Sequence, residues 1–508
     1  MPSAPDCYAL PADALDSLAG GSFGKLTPVL AWDDGVAEFR VLDCFDQSLR
    51  HSGRLLLEIG GVFELLLADG RVLSQSANRK GQFVGDFQDG PVKHALADLS
   101  PLRSLLPVGT GSLRRGTLAL LDDEQKTHCR ANLHVLTGTG RMGAVLITLQ
   151  GLRGYDKALT ALRNRIEACG GTALDRGGLY ADIFSGEVAY TAKPEIIIKP
   201  DDTSYDTASD IISTYLPVAR ANEAGIIADH DSEFLHDYRI ALRKIRSVLS
   251  LFKEVYDADQ TADLKARFSA LMTPTGRLRD LDVYLLEKQR LYDLLPNTLH
   301  SGLDVMFRMF TAERKAAQVK LTAHLRSIRY EAEIASLTKL FGKRKKLKSG
   351  PAAGLAAQDY ACTLIWKRYR KICKIGAAIS PEMPDAEVHA LRIYCKKLRY
   401  LMEFFGPLFP KPAFKSLLRP LKYLQDNLGL FNDYSVQQIS LQDFLRNVTD
   451  KPNGSNLAVA QSVGALTAVL HRRQIEERAK IVESFAQFNG PEIQATFRDL
   501  FHDGRHKT

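Results

Sequence analysis

The strongest constraint on what this chain can fold into is a helical segment that it carries twice. Residues 236–246 read His-Asp-Tyr-Arg-Ile-Ala-Leu-Arg-Lys-Ile-Arg. Residues 389–399 read His-Ala-Leu-Arg-Ile-Tyr-Cys-Lys-Lys-Leu-Arg, aligned without a gap at an offset of 153 residues. At about 100° per residue, His236, Arg239, Arg243 and Arg246 share one arc of a helix, and Lys253 extends it by two turns. Ala241, Ile245, Val248 and Phe252 occupy the opposite side, as a core-facing stripe requires. The cationic arc holds almost no acid, whereas a merely solvated helix face mixes signs. The offset continues: Gly276-Arg277-Leu278-Arg279-Asp280 lies over Gly429-Leu430-Phe431-Asn432-Asp433. An internal duplication of this length implies a pseudo-two-fold arrangement, with both cationic faces turned to one place.

Charge divides the chain into two parts. Of 67 Lys/Arg and 59 Asp/Glu, residues 1–200 hold 21 and 23, and residues 201–508 hold 46 and 36. The net charge of +8 therefore belongs to the second part, which points to an anionic partner. No apolar run is long enough to span a membrane, and residues 1–30 do not read as a signal, so no membrane partner is expected. Seven cysteines, at 7, 44, 129, 169, 362, 373 and 395, stand singly without a CxxC. That pattern fits a reducing, cytoplasmic compartment and argues against a disulfide scaffold or structural zinc. Nothing in the sequence fixes an oligomeric state or calls for a cofactor.

The doubled His-x-x-Arg-x-x-x-Arg/Lys-Lys-x-Arg, the Arg279-Asp280-Leu281-Asp282 stretch and the later Leu428-Gly429-x-x-Asn432-Asp433 resemble the CHAD family, a histidine-bearing α-helical domain. The resemblance covers roughly residues 205–505. It implies an all-α CHAD domain of two pseudo-symmetric four-helix bundles that binds inorganic polyphosphate along a basic groove or pore, without chemistry. The expected layout is a domain over 1–195, a linker over 196–204 with two prolines just before or within it, and a helical domain over 205–508. Its repeats span about 205–341 and 352–490, separated by a basic break over 342–351. Helices are expected over 207–219, 232–256, 261–271, 280–295, 303–328 and 334–341, then over 355–379, 385–406, 412–428, 433–448 and 456–488. A loop is expected over 451–456.

Residues 26–149 carry β signals, after a frayed stretch over 1–25. Segments 54–59 and 62–67 flank Gly60-Gly61, a two-residue hairpin signal. Segments 113–121, 126–136 and 143–149 repeat the pattern, a helix follows over 155–169 before Gly170-Gly171, and an extended piece over 178–190 completes the part. This order resembles the CYTH, or triphosphate-tunnel, fold, which often precedes a CHAD domain. That family holds a divalent metal with a Glu-x-Glu-x-Lys triplet on its first strand. Segment 28–42 offers only Asp33, Asp34 and Glu38, without that spacing. The fold class is therefore α+β in two domains, an antiparallel CYTH-like domain followed by the helical one. The front domain is expected to be catalytically degenerate, because phosphoryl chemistry on a metal needs such carboxylates.

Polyphosphate contacts are assigned to His236, Arg239, Arg243, Lys244, Arg246, Lys253 and Arg279, and to His389, Arg392, Lys396, Lys397 and Arg399. Arginine offers a planar fork to phosphate oxygens and lysine a point charge. Four cations over ten residues track about 15 Å of helix axis, which suits a repeating anion better than a small one. Flanking cations that would enlarge the patch are Arg314, Lys315, Lys367, Arg368, Arg370, Lys371, Lys374, Arg472 and Arg473. Each of these alone reads more often as a solvated charge.

For His236 and His389, neither a metal site nor a base-nucleophile pair has the neighbours it needs, leaving phosphate contact or a helix cap. Asp280 and Asp433 are read as acids that start a helix and pair with arginines. No catalytic or metal-binding residue is assigned. Nucleic acid is the rival partner, because it too is drawn to cationic grooves. Single-strand binders interleave aromatics with cations, however, and Tyr238, Tyr394 and Phe405 read as lying on or near the apolar side. A metal-dependent triphosphatase in the front domain is the second rival. A scaffold role, delivering the front domain to polyphosphate granules, is compatible with the same arrangement.

Overall fold

The computed structural model of this chain describes residues 7–67, 71–138, 143–174, 190–344, 346–380, 382–449 and 456–502. The extended piece expected over 178–190 falls outside them up to residue 189, as do Lys345 and the 451–455 part of the expected loop. The chain divides into two compact units, Met1–Thr191 and Ala192–Thr508.

The first unit runs β1 (Cys7–Pro11), α1 (Leu15–Ala19), β2 (Thr27–Trp32), β3 (Ala37–Asp43), α2 (Ser48–His51), β4 (Leu55–Ile59), β5 (Val62–Leu66), β6 (Val72–Ser76), α3 (Pro91–Ala95), β7 (Leu106–Leu121), β8 (Thr127–Gly138), β9 (Ala144–Gly151), α4 (Asp156–Ala168) and β10 (Thr172–Ala173). Its ten strands form one sheet in the order β10-β1-β9-β8-β7-β3-β4-β5-β6. The long β7 gives one edge to β8, while its other edge pairs with β3 in its first half and with β2 in its second. Every pairing is antiparallel. Gly60 and Gly61, at φ 55 and 82, make the tight turn between β4 and β5, a conformation that suits the strand twist. Residues 7–25 are not frayed, because Cys7–Pro11 pairs with β9 and buries Leu10.

The sheet curls around an apolar cluster drawn from strands far apart in its order. Phe39, Val41, Leu55, Leu57, Ile59, Leu113, Leu136, Ala144 and Leu146 all belong to it. Near one end, Arg115 of β7 forms an ion pair with Glu64 of β5 at 2.5 Å, across two intervening strands, which requires strong curvature. His134 lies opposite Arg115 on β8, and burial lowers its pKa. The cavity bordered by Tyr8, Leu66, His134 and Leu146 measures only about 20 Å³. Among the described residues, no three His, Cys, Asp or Glu side chains come together as a metal cluster would need.

The second unit is helical. It runs α5 (Ser204–Ala221), α6 (Glu223–Ala228), α7 (Ser232–Leu251), α8 (Ala258–Met272), α9 (Gly276–Leu286), α10 (Lys288–Tyr292), α11 (His300–Leu325), α12 (Ile328–Lys343), α13 (Ala357–Gly376), α14 (Asp385–Phe405), α15 (Lys411–Thr449), α16 (Asn456–Ala479), α17 (Ile481–Phe488) and α18 (Pro491–Phe501). No described helix is long and apolar enough to cross a membrane. Helices α5, α7, α8 and α12 pack as one four-helix set, and α13, α14, α15 and α17 form its counterpart. The two repeats also share a separate core, in which Leu281, Phe307 and Phe310 of α9 and α11 meet Tyr434, Leu441, Val463 and Leu466 of α15 and α16.

Two differences from the sequence reading have clear causes. The expected break over 429–432 is absent, and α15 is continuous. In the first copy, Pro274 sits in a 3-10 turn between α8 and α9, where its missing N–H ends the helix. The equivalent position is Asn427, whose side chain donates to Glu477 O at 2.9 Å and so fastens the uninterrupted helix. The second difference is α18, which lies beyond the expected end of the second repeat and buries Phe497 and Phe501.

The duplication is visible in reciprocal backbone bonds made by the equivalent residues Ser204 and Ala357, and in contact between residues 153 positions apart. The backbone N–H of Ser204 donates to Leu355 O at 2.8 Å, and that of Ala357 donates to Asp202 O at 2.8 Å. Phe252 and Phe405 stack with ring centroids 4.9 Å apart and planes within 11°. Tyr284 Oη donates to Gln437 O at 3.4 Å. A residue can touch its own equivalent only close to a two-fold axis, so these pairs locate the axis. Phe252→Ala should therefore cost about 3–5 kcal/mol, since the ring is buried and stacked. A denaturant titration followed by helical circular dichroism checks this; a loss below 1 kcal/mol would contradict the axial packing.

Candidate anion-binding site

The site is built on α7 and α14, which cross beside the axis. Asp231 caps α7 by accepting from the N–H groups of Glu233 and Phe234, at 2.9 and 3.3 Å. Neither His236 nor His389 is therefore a cap; each sits in the second turn of its helix. The apolar stripe falls where the periodicity places it, with Ala241, Ile245, Val248 and Phe252 buried. The polar arcs of the two helices then face each other.

Two cavities open between these arcs, of about 540 and 350 Å³. Arg243, Arg392, Lys396 and Tyr400 line both. Five of the remaining lining residues in each correspond across the axis. Ile240, Lys244, Arg399, Glu403 and Gln425 in the larger cavity answer to Ile393, Lys397, Arg246, Ser250 and Met272 in the smaller. The two cavities are thus half-sites of one duplicated groove. Their junction is held by Arg243 and its equivalent Lys396.

The electrostatics at that junction are severe. Burial together with Arg243 and Arg392 pulls the Lys396 ammonium down to about 8, against weak opposition from Asp433. Burial and Arg243 likewise push the Arg239 guanidinium below its ordinary range, with Asp280 opposing. Burial, Arg368 and Lys253 lower Lys397. The Nε of Arg243 and the Nη1 of Arg279 are buried without a hydrogen-bond partner. Clustered cations that depress one another gain most from an anion that bridges them.

The assigned residues do not all behave alike. Arg243, Lys244, Arg246, His389, Arg392, Lys396, Lys397 and Arg399 line the cavities. His236, Arg239 and Arg279 do not; Arg239 donates to Thr275 Oγ1 at 2.5 Å. His389 Nδ1 pairs with Asn432 Oδ1 at 3.0 Å. Lys253 leaves the arc, because α7 ends at Leu251 and the chain turns at Glu254 with φ 63. Lys244 and Arg399 share one carboxylate, Glu403, whose Oε1 accepts from Arg399 Nε at 2.8 Å. Burial pushes Glu403 upward, but the two cations outweigh it and hold the carboxyl below its usual range.

Asp280 and Asp433 do not start helices. Asp280 lies inside α9 and Asp433 midway along α15. Asp433 approaches Arg392 at 3.9 Å, while Asp280 acts on Arg239 through its field. Arg314 is structural: it grips Asp229 at 2.5 and 2.7 Å and the buried Asp282 at 2.8 Å. Lys315, Lys367, Arg370, Lys371, Lys374 and Arg472 are exposed, Arg368 and Arg473 half-buried, and none lines either cavity. Arg472 pairs with Glu476 at 3.7 Å.

The aromatic reading also needs correcting. Tyr238 and Phe405 are buried in the core, but Tyr394 is half-buried among cations. Arg368, Lys397 and Lys371 lie 5.2, 5.6 and 5.8 Å from its ring centroid. Tyr400, overlooked in the sequence, lies 5.1 Å from Lys244 and 5.8 Å from Lys396. Both Tyr400 and Glu403 follow Lys396 at helical spacing, and that is the signal that would have found them. Gln425 and Met272 have no local signal.

Comparison with known proteins gives a domain match over these residues. A family model described as "CHAD domain" matches residues 210–442. Two uncharacterized proteins of Mycobacterium tuberculosis strains are each 26% identical over 251 residues, 48% of this chain and 47% of their own length. The chain thus spans about half the length of these curated relatives. Among solved structures, the CHAD domain of the plant Ricinus communis is 23% identical with a TM-score of 0.48, covering 62% of this chain and 98% of that one. PptA from Streptomyces chartreusis is 16% identical with a TM-score of 0.42, covering 58% and 100%. The helical unit carries a CHAD domain, and both organising helices lie within the matched residues.

Proposed function

We propose that the helical unit binds inorganic polyphosphate in the duplicated groove. The observation that carries this reading is the pairing of two symmetry-related cavities through a junction of Arg243, Arg392 and Lys396. A compact anion would use one half-site. A chain of phosphates can run from one into the other past the same cations, regaining the charge interaction lost to mutual repulsion. No chemistry is assigned to the groove: it binds and does not turn over.

The first unit is read as a degenerate, CYTH-like domain without triphosphatase activity. Its sheet encloses apolar side chains and a cavity of about 20 Å³, and Glu58 and Glu64 are already engaged by arginines. In this scheme the groove recruits the chain to polyphosphate granules. Single-stranded nucleic acid is the rival, favoured by Tyr394 and Tyr400 lying among cations. Competition between long-chain polyphosphate and single-stranded DNA at physiological salt separates the two, since DNA winning would overturn the proposal.

Replacing Arg239, Arg243, Arg392 and Lys396 together with alanine should abolish retention on immobilised polyphosphate at unchanged helical content, whereas charge reversal at Lys346 should leave retention nearly intact. Affinity should fall as pH rises from 7 to 9. Lys396 is charged below about 8, phosphate binds the charged form, and bound phosphate raises the lysine's pKa, so protonation favours binding. Lys396→Arg should flatten that fall in a titration series. Incubating the whole chain with tripolyphosphate and magnesium or manganese should release no phosphate above background; metal-dependent release would refute the inactivity of the first unit.

A further inference from the structure

The two half-sites share five lining positions and differ in charge. Glu403 lines the larger cavity, and its equivalent in the smaller is Ser250. Glu403 engages both Lys244 and Arg399. Their equivalents, Lys397 and Arg246, form no ion pair among the described residues: Arg246 donates to Met272 Sδ at 3.1 Å, and Lys397 stands 5.6 Å from the Tyr394 ring. Asp426 adds a second acid to the larger cavity, which Lys193 also lines, whereas among the described residues no acid lines the smaller one.

We infer that the groove is polar along its length: the Ser250 half-site anchors the anion, and Glu403 acts as a resident competitor that weakens the other half. This deepens the polyphosphate reading and rests on it. A phosphate entering the Glu403 half-site must displace a carboxylate already bound by the two cations it needs, and it meets that carboxylate's charge as it does so. A phosphate entering the Ser250 half-site displaces only water and finds a hydroxyl that can donate. The first few phosphates therefore settle by Lys397 and Arg246, and the chain extends past the Arg243–Lys396 junction only when it is long enough to repay the exchange. Glu403 thereby raises the chain length at which the second half-site is occupied.

The test moves the acid. Glu403→Ser should tighten binding of long-chain polyphosphate roughly five-fold at moderate salt and steepen its salt dependence by one to two released ions. Ser250→Glu should weaken binding by a similar factor, and the isosteric Glu403→Gln should act in the same direction as Glu403→Ser. Lysine acetylation read by mass spectrometry reports position. Tripolyphosphate should shield Lys397 ahead of Lys244 in the unaltered chain, and the order should reverse in the Glu403→Ser/Ser250→Glu double variant. Equal shielding in both proteins, or unchanged affinity in Glu403→Ser and Glu403→Gln, would overturn the asymmetry while leaving the polyphosphate reading in place. Failure of the unaltered chain to bind long-chain polyphosphate would overturn that reading, and the asymmetry with it.

Discussion

Mutual repulsion among cations is the constraint around which the helical unit is built. Arg243 and Arg392 are held close enough to Lys396, and Arg243 close enough to Arg239, to lower the readiness of those two groups to stay charged. Left to these cations alone, α7 and α14 would separate. What keeps them together is the Lys244–Glu403 ion pair, the stacked Phe252 and Phe405, the buried stripes behind the cations, and the reciprocal backbone bonds of Ser204 and Ala357. Burial on one side of each helix offsets a repulsion that is concentrated on the other. Binding an anion removes the repulsion without disturbing the packing, so site and scaffold are energetically separate.

Duplication explains why the arrangement is economical. One amphipathic helix, copied and brought against its copy about an axis, produces a groove lined from both sides by one pattern of residues. The departures from symmetry then carry the information. Serine against glutamate at 250 and 403, serine against tyrosine at 247 and 400, and methionine against glutamine at 272 and 425 all fall within the lining. At the axis phenylalanine faces phenylalanine and arginine answers to lysine, while Tyr284 meets Gln437.

Most of this was legible in the chain. The ungapped offset announced both copies, the periodicity placed the stripe and the cationic arc, and Gly60-Gly61 marked its hairpin. What escaped was decided by tertiary partners. Lys244 and Arg399 looked equivalent to their neighbours until Glu403 reached them from the last turns of α14. Arg314 looked like patch enlargement, yet Asp229 and Asp282, 85 and 32 residues away in sequence, claim it. Tyr394 sits on a helix face that periodicity reads as near-apolar, and α13 brings the cations to it. The break expected over 429–432 does not form in α15, whereas in the first copy Pro274 opens a joint between α8 and α9.

That missing proline has a wider consequence. Because α15 runs unbroken from Lys411 to Thr449, the same rod supports the second four-helix set at one end and the core common to both copies at the other. The first copy divides those duties between α8 and α9, with a joint between them. A unit that arose as two interchangeable modules has thereby become indivisible. Neither half retains a complete interior without the other, so excising either repeat would yield an exposed apolar face rather than a smaller protein.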